Sequence, residues 1–243
     1  MSSLAVMPRR SEIEYPEDDG NPMSDNTVQF RWIMTIQGGL DDLFRNDPDV
    51  FVAGDLLWYP VAGDNRTRQA PDTMVVFGRP KGDRGSYRQW DEDDIAPQVV
   101  FEVLSPGNRI GEMVRKCQFY DRFGVEEYYQ YDPDRGELAA WIRQAGMLKE
   151  LDNPVGSTSP RLGVRFELDG LDLRLIRPDG QPFATYLELA AQRDVERQRA
   201  DSERQRADSE QQCADSERQR AEQERQRAER LVAQLRAAGM EPE

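Results

Sequence analysis

Between residues 26 and 44 apolar side chains recur at helical intervals, with Phe30, Ile33, Met34 and Leu40 on the stripe and Ser24 or Asp25 placed to cap the first turn. The pattern then shortens. Residues 50–58, 73–77 and 98–104 are compact runs rich in β-branched and aromatic side chains, and each reads as a strand. Helical spacing returns over residues 109–123, where Ile110, Met113, Val114, Cys117 and Tyr120 form a stripe of the kind that faces a core, and Gly124 stops it. "VEEYYQY" is the next strand. "DPDRG" turns into "ELAAWIR", "AG" turns into "MLKEL", and "RFELDGLDLRLI" is a further β-rich stretch. Helix, three strands, helix, strand and a β extension describe a mixed α/β domain with helices covering its sheet.

From Gln192 onward the texture changes to a seven-residue repeat that places Ala200, Ala207, Ala214, Ala221 and Ala228 in one column. Its Glu and Arg residues fall at helical pairing distances, as in Glu203 with Arg206 and Arg199 with Glu203. A firm two-stranded coiled coil needs apolar residues at both seam positions, yet the second column holds Glu203, Glu210, Glu217 and Glu224. The expectation is a charged, solvated helix or a weak homo-oligomer, with Leu231, Val232 and Leu235 as its apolar contacts and Cys213 available for cross-linking. The chain thus divides into a flexible start (residues 1–14), an α/β body (15–192) and a charged helix (193–243).

Composition narrows the chemistry. The chain of 243 residues is 37% hydrophobic, which is low for a fully globular protein of that length and agrees with a solvated tail. No apolar run approaches a membrane span, and the first residues lack the apolar core of a secretory signal, so a cytoplasmic protein without membrane contact is expected. The absence of histidine removes Ser-His and Cys-His catalysis and every His-based metal site. The two cysteines, Cys117 and Cys213, give no disulfide or zinc framework. A net charge of −14 opposes broad attraction to nucleic acid. The one locally basic stretch runs from Arg66 to Arg88, where Arg79, Lys81, Arg84 and Arg88 are candidates for a phosphate-facing surface, with Arg109 nearer the second helix.

One residue in "VVFEVL" breaks the apolar pattern. Burying an isolated carboxylate costs several kcal/mol or more unless it is paired, protonated or bound to a cation, so Glu102 asks for one of these three. Asp72, at the entry to the neighbouring strand and fixed by Pro71, is placed to converge with it. Mg²⁺ is satisfied by one or two carboxylates with substrate oxygens and waters, and this pair suits it. Lys116 on the following helix is a cation within reach of the same site, although Glu112, one turn earlier, offers it an ordinary surface ion pair. Trp58, Trp90 and Trp141 read as packing or rim aromatics.

"APDTMVVF", "VVFEVLSPGN", "EMVRKCQFYDRFGVEEYYQYDPDRGELAAW" and "LGVRFE", in that order, resemble the Uma-two family of restriction-endonuclease-like proteins, a branch of the PD-(D/E)XK nucleases. The resemblance covers about residues 15 to 190. It implies an αβββαβ core with a mixed sheet, in which Asp72 matches the acid of the PD motif and Glu102 the acid of the third motif. Leu104 stands where classical members carry lysine, and Lys116 matches a lysine supplied from the following helix, with Glu112 an acidic position before it. A further acid of such sites has three candidates here, Glu17, Asp25 and Asp55. The implied activity is Mg²⁺- or Mn²⁺-dependent hydrolysis of DNA. The alternative is a catalytically silent scaffold that uses the same core for binding and the heptad helix for assembly.

Overall fold

The computed structural model describes residues 13–237 apart from 19, 21 and 23. The expected flexible start falls almost wholly outside the described residues. Two compact units divide the chain at Thr185.

The first unit is built on a six-stranded sheet. Its strands are β1 (Val50–Ala53), β3 (Thr73–Phe77), β5 (Val99–Val103), β6 (Glu127–Asp132), β7 (Glu137–Gln144) and β8 (Met147–Glu150), in the spatial order β1-β3-β5-β6-β7-β8. Within this sheet only β5 and β6 run parallel, and helix α2 (Ile110–Arg122) makes the crossover that a parallel pair requires. Helix α1 (Thr27–Leu43) precedes the sheet. The run expected as one strand over residues 50–58 is broken. Asp55 takes a left-handed backbone (φ 49°), and the chain resumes as β2 (Trp58–Tyr59), which pairs with β4 (Tyr87–Arg88) in a small separate sheet. The closing stretch is a hairpin, β9 (Arg165–Asp169) with β10 (Asp172–Ile176), turned at Gly170.

Alternation along β5 sends its side chains to two cores. Val99, Phe101 and Val103 join Ile33, Ile36 and Leu40 of α1, with Phe166, Leu173 and Leu175 of the hairpin on the same side. Val100 joins Met74, Val76, Tyr120 and Tyr128 on the side of α2. The cap of α1 is Asn26, not Ser24 or Asp25: its Oδ1 accepts from the backbone N–H of Val28 and Gln29, both at 2.9 Å. The buried face of α1 is rotated from the expected stripe, since Phe30 and Met34 are exposed and Ile36 is buried. Gly124 ends α2 as expected, with the positive φ that a helix-terminating turn takes.

A second buried acid secures the hairpin side of the sheet. Glu127 accepts from Tyr129 Oη at 2.9 Å, from the Arg161 backbone N–H at 2.6 Å and from Ser159 Oγ. Burial pushes its pKa up against those bonds. The folded state therefore holds this proton better than the unfolded one, and Glu127 contributes less stability as pH rises above about 4.5. Glu127→Ala strands the Ser159 and Tyr129 hydroxyls and is expected to cost roughly 2–4 kcal/mol in urea unfolding. Glu127→Gln is expected to stay close to wild type with a flatter pH dependence. Near-equal stability of the alanine variant would show that these bonds do not hold the loop.

The second unit is one helix, α3 (Tyr186–Ala237), of 52 residues. It begins seven residues before Arg193, the expected start of the charged helix, and its ion pairs include Arg225 with Glu222 at 3.2 Å and with Glu229 at 3.8 Å. Among the described residues, the two core clusters of the first unit are built from that unit's own side chains. A chain ending at Thr185 is accordingly expected to unfold cooperatively at the melting temperature of the full-length protein. Loss of that transition on truncation would assign the helix a part in the core. No helix among the described residues is long and apolar enough to cross a membrane.

Candidate active site

Glu102 lies on the α2 face of β5 and is 2% exposed. Its partners come from one helix. Lys116 Nζ sits 2.7 Å from Oε2, and the Tyr120 hydroxyl donates to Oε1. Lys116 and Tyr120 are four residues apart, so the same face of α2 delivers both. The open question between a surface pair with Glu112 and a reach toward Glu102 is decided for Glu102, and Glu112 adds only a longer-range charge.

Asp72 arrives from β3. The antiparallel register pairs Thr73 with Phe101, so the residue before Thr73 stands opposite Glu102 on the same face. Its Oδ2 accepts from the Val103 backbone N–H at 2.6 Å. Gln29 of α1 holds the other side of that residue, donating Nε2 to the Val103 carbonyl at 2.8 Å. The end of β5 is thus clamped at both of its polar backbone groups, and the two acids are held by fixed strands.

The electrostatics follow from this crowding. Burial lifts the Asp72 carboxyl well above the usual carboxylate range, and the charges of Glu102 and Asp55 add to the shift. Lys116 and the Val103 N–H oppose it. Burial alone pushes Lys116 down, but Glu102 and Asp72 outweigh it and hold the ammonium charged. Tyr120 is raised by burial and by Glu102, so it stays a hydrogen-bond donor. Two hard carboxylates in a low-dielectric site, one of them raised by burial and by its neighbour's charge, are a donor set that suits a divalent cation. Among the described residues no three Asp, Glu or Cys side chains gather as a cage. Asp72 and Glu102 could hold such an ion only with substrate and water completing its shell, as Mg²⁺ accepts.

The other sequence candidates disperse. Asp55 is near, its backbone N–H donating to the Pro71 carbonyl at 3.1 Å and its charge reaching Asp72. Asp25 accepts from Ser105 Oγ at 2.5 Å at the turn between β5 and α2. Glu17 lies against Gly85, beside Arg84 and Arg88, and the structure does not bring it to Asp72 and Glu102. The basic stretch is engaged within the unit. Arg79 and Arg84 both grip Glu92, at 2.8 and 2.6 Å, and Arg84 also lies over the Phe51 ring. Lys81 pairs with Asp41 at 3.2 Å and Arg88 lies over Tyr15. Each of these four cations thus has a carboxylate or ring partner within the unit. Arg109 is exposed at the start of α2.

Tyr120 and Gln29 escaped the sequence. Tyr120 reads as one more apolar-stripe residue, although its place four after Lys116 is a usable signal. Gln29 is a polar residue on the buried face of α1, which is a signal of the same kind as Glu102.

Paired acids on adjacent strands and a lysine on the crossover helix, within an α-β-β-β-α-β order, define a restriction-endonuclease-like α/β core. The family Uma2, described as "Putative restriction endonuclease", matches residues 8–174, and the chain belongs to that family. It is also similar to a crystal structure described as a putative nuclease belonging to DUF820 from Anabaena variabilis ATCC 29413. That likeness has 15% identity and a TM-score of 0.42, covering 56% of this chain and 72% of the other. No curated protein matches the chain.

Proposed function

We propose that the chain hydrolyses phosphodiester bonds of DNA with Mg²⁺ or Mn²⁺ held by Asp72 and Glu102. The observation that carries this reading is the buried Glu102 joined to Lys116 with Asp72 across the strand pair. A cation bound there supplies a water of lowered pKa and offsets charge on the phosphoryl oxygens. The chain's own residues do the rest. Val103 N–H and Tyr120 Oη fix the two carboxylates, so no reorganisation is needed when a phosphate arrives. Lys116, held charged and pointed at Glu102, is placed to steady charge on the reacting phosphate or to orient the attacking water. Its side chain is 14% exposed, enough to meet a substrate from one side. Glu102→Gln keeps the shape and removes the charge. Incubating plasmid DNA with Mg²⁺ and wild type or this variant tests the reading: cleavage by wild type and none by the variant is expected, and equal cleavage by both would remove Glu102 from the chemistry.

A further inference from the structure

The apolar stripe of α2 has little core beneath it. Only Tyr120 of that stripe is buried; Ile110 is 87% exposed and Val114 49%. With Leu104, Met113, Cys117 and Trp141 they line a groove of about 780 Å³. It begins where the candidate site ends. Gln130, opposite Glu102 in the β5–β6 register, forms part of its wall, and Cys117 follows Lys116 directly. Leu104 is two residues beyond Glu102, its backbone N–H still on the ladder to Tyr131.

We propose that this groove receives one unpaired nucleobase of the substrate, next to the phosphate presented to Glu102 and Lys116; the proposal rests on the hydrolytic reading above. Four features select this occupant. The volume lies in the range of roughly 300–1,000 Å³ that holds drug-sized ligands and so leaves room for a nucleobase with its sugar. Trp141 is stacked on Tyr128, ring centroids 5.0 Å apart and planes at 23°, which gives the groove a rigid flat wall for a base. Gln130, braced by its amide donating to Tyr128 at 2.5 Å, presents a polar edge that a base can meet. The rim carries Asp132 and Asp134 against one cation, Arg135, which pairs with Asp132 at 3.8 Å, and this net negative edge favours base inside and backbone outside. A fully paired duplex must spend a few kcal/mol to unstack a base, whereas a bulge, mismatch or single strand has one free. The site therefore selects nucleic acid with an unpaired nucleotide.

The test uses full-length protein with Ca²⁺ in place of Mg²⁺ and two DNA duplexes of one sequence, one fully paired and one carrying a single bulged 2-aminopurine. Base–aromatic stacking corresponds to roughly 5- to 150-fold in affinity. The bulged duplex is expected to bind about tenfold tighter or better, with its 2-aminopurine emission quenched. That preference should fall toward one in Trp141→Ala and, separately, in Val114→Asn, whose exposed position spares the fold. Equal affinity for both duplexes, or a preference that survives both substitutions, overturns the groove assignment and leaves the hydrolytic reading standing. Equal affinity together with self-association that Val114→Asn abolishes gives the groove to a second copy of the chain and equally overturns it. Failure to bind either duplex removes the hydrolytic reading, and the proposal with it.

Discussion

Lys116→Met is expected to lower DNA cleavage by roughly two to three orders of magnitude, the loss that follows removal of one preorganised charge-stabilising donor. Methionine keeps the length of the stem, so the ammonium alone is tested. The substitution also takes the cation away from Glu102, which is 2% exposed, and a broken buried pair costs about 3–5 kcal/mol. Here Tyr120 still donates to the carboxylate, so the loss should fall at or below the lower end of that range. Activity is therefore compared well below the melting temperature of the variant. Wild-type cleavage by a folded Lys116→Met protein would show that the ion pair is structural and that the helix-borne lysine has no catalytic part.

The second large effect is thermal. Mg²⁺ or Mn²⁺ at about a hundred times its dissociation constant stabilises a single-site protein by about 2.7 kcal/mol, and the melting temperature should rise accordingly. The rise should vanish in Asp72→Asn and in Glu102→Gln. Its pH dependence is set by Asp72. The folded carboxyl is raised above its ordinary 3.8, so the folded state binds more protons than the unfolded one and stability declines as pH climbs from there toward the raised value. A cation takes the place of that proton. Its stabilising effect should therefore grow with pH across the same window. A metal response that is flat in pH, or present in both variants, places the ion elsewhere.

Glu102 and Asp72 could be found in the sequence because the cost of burying charge makes an acid in "VVFEVL" conspicuous without any structure. Lys116 was nearly as legible, but only the fold distinguishes a lysine paired to its own helix from one turned under to a strand. The same limit explains the α2 stripe. Apolar residues at helical spacing mark a face, not what covers it, so Ile110 and Val114 read as core and line a groove. The ion pairs of the basic stretch were hidden for a different reason: Glu92 follows Arg79 and Arg84 around a turn whose closure composition does not reveal. The break at Asp55 was likewise invisible, since a left-handed backbone at a non-glycine residue is imposed by its surroundings.

The measurement that bears most directly on the central claim is anomalous scattering from crystals of the full-length protein soaked in Mn²⁺. One strong peak is expected within reach of the Asp72 and Glu102 carboxylates, with Lys116 nearby. A well-ordered site in which Glu102 remains bound only by Lys116 and Tyr120, with no peak between the two acids, would contradict it.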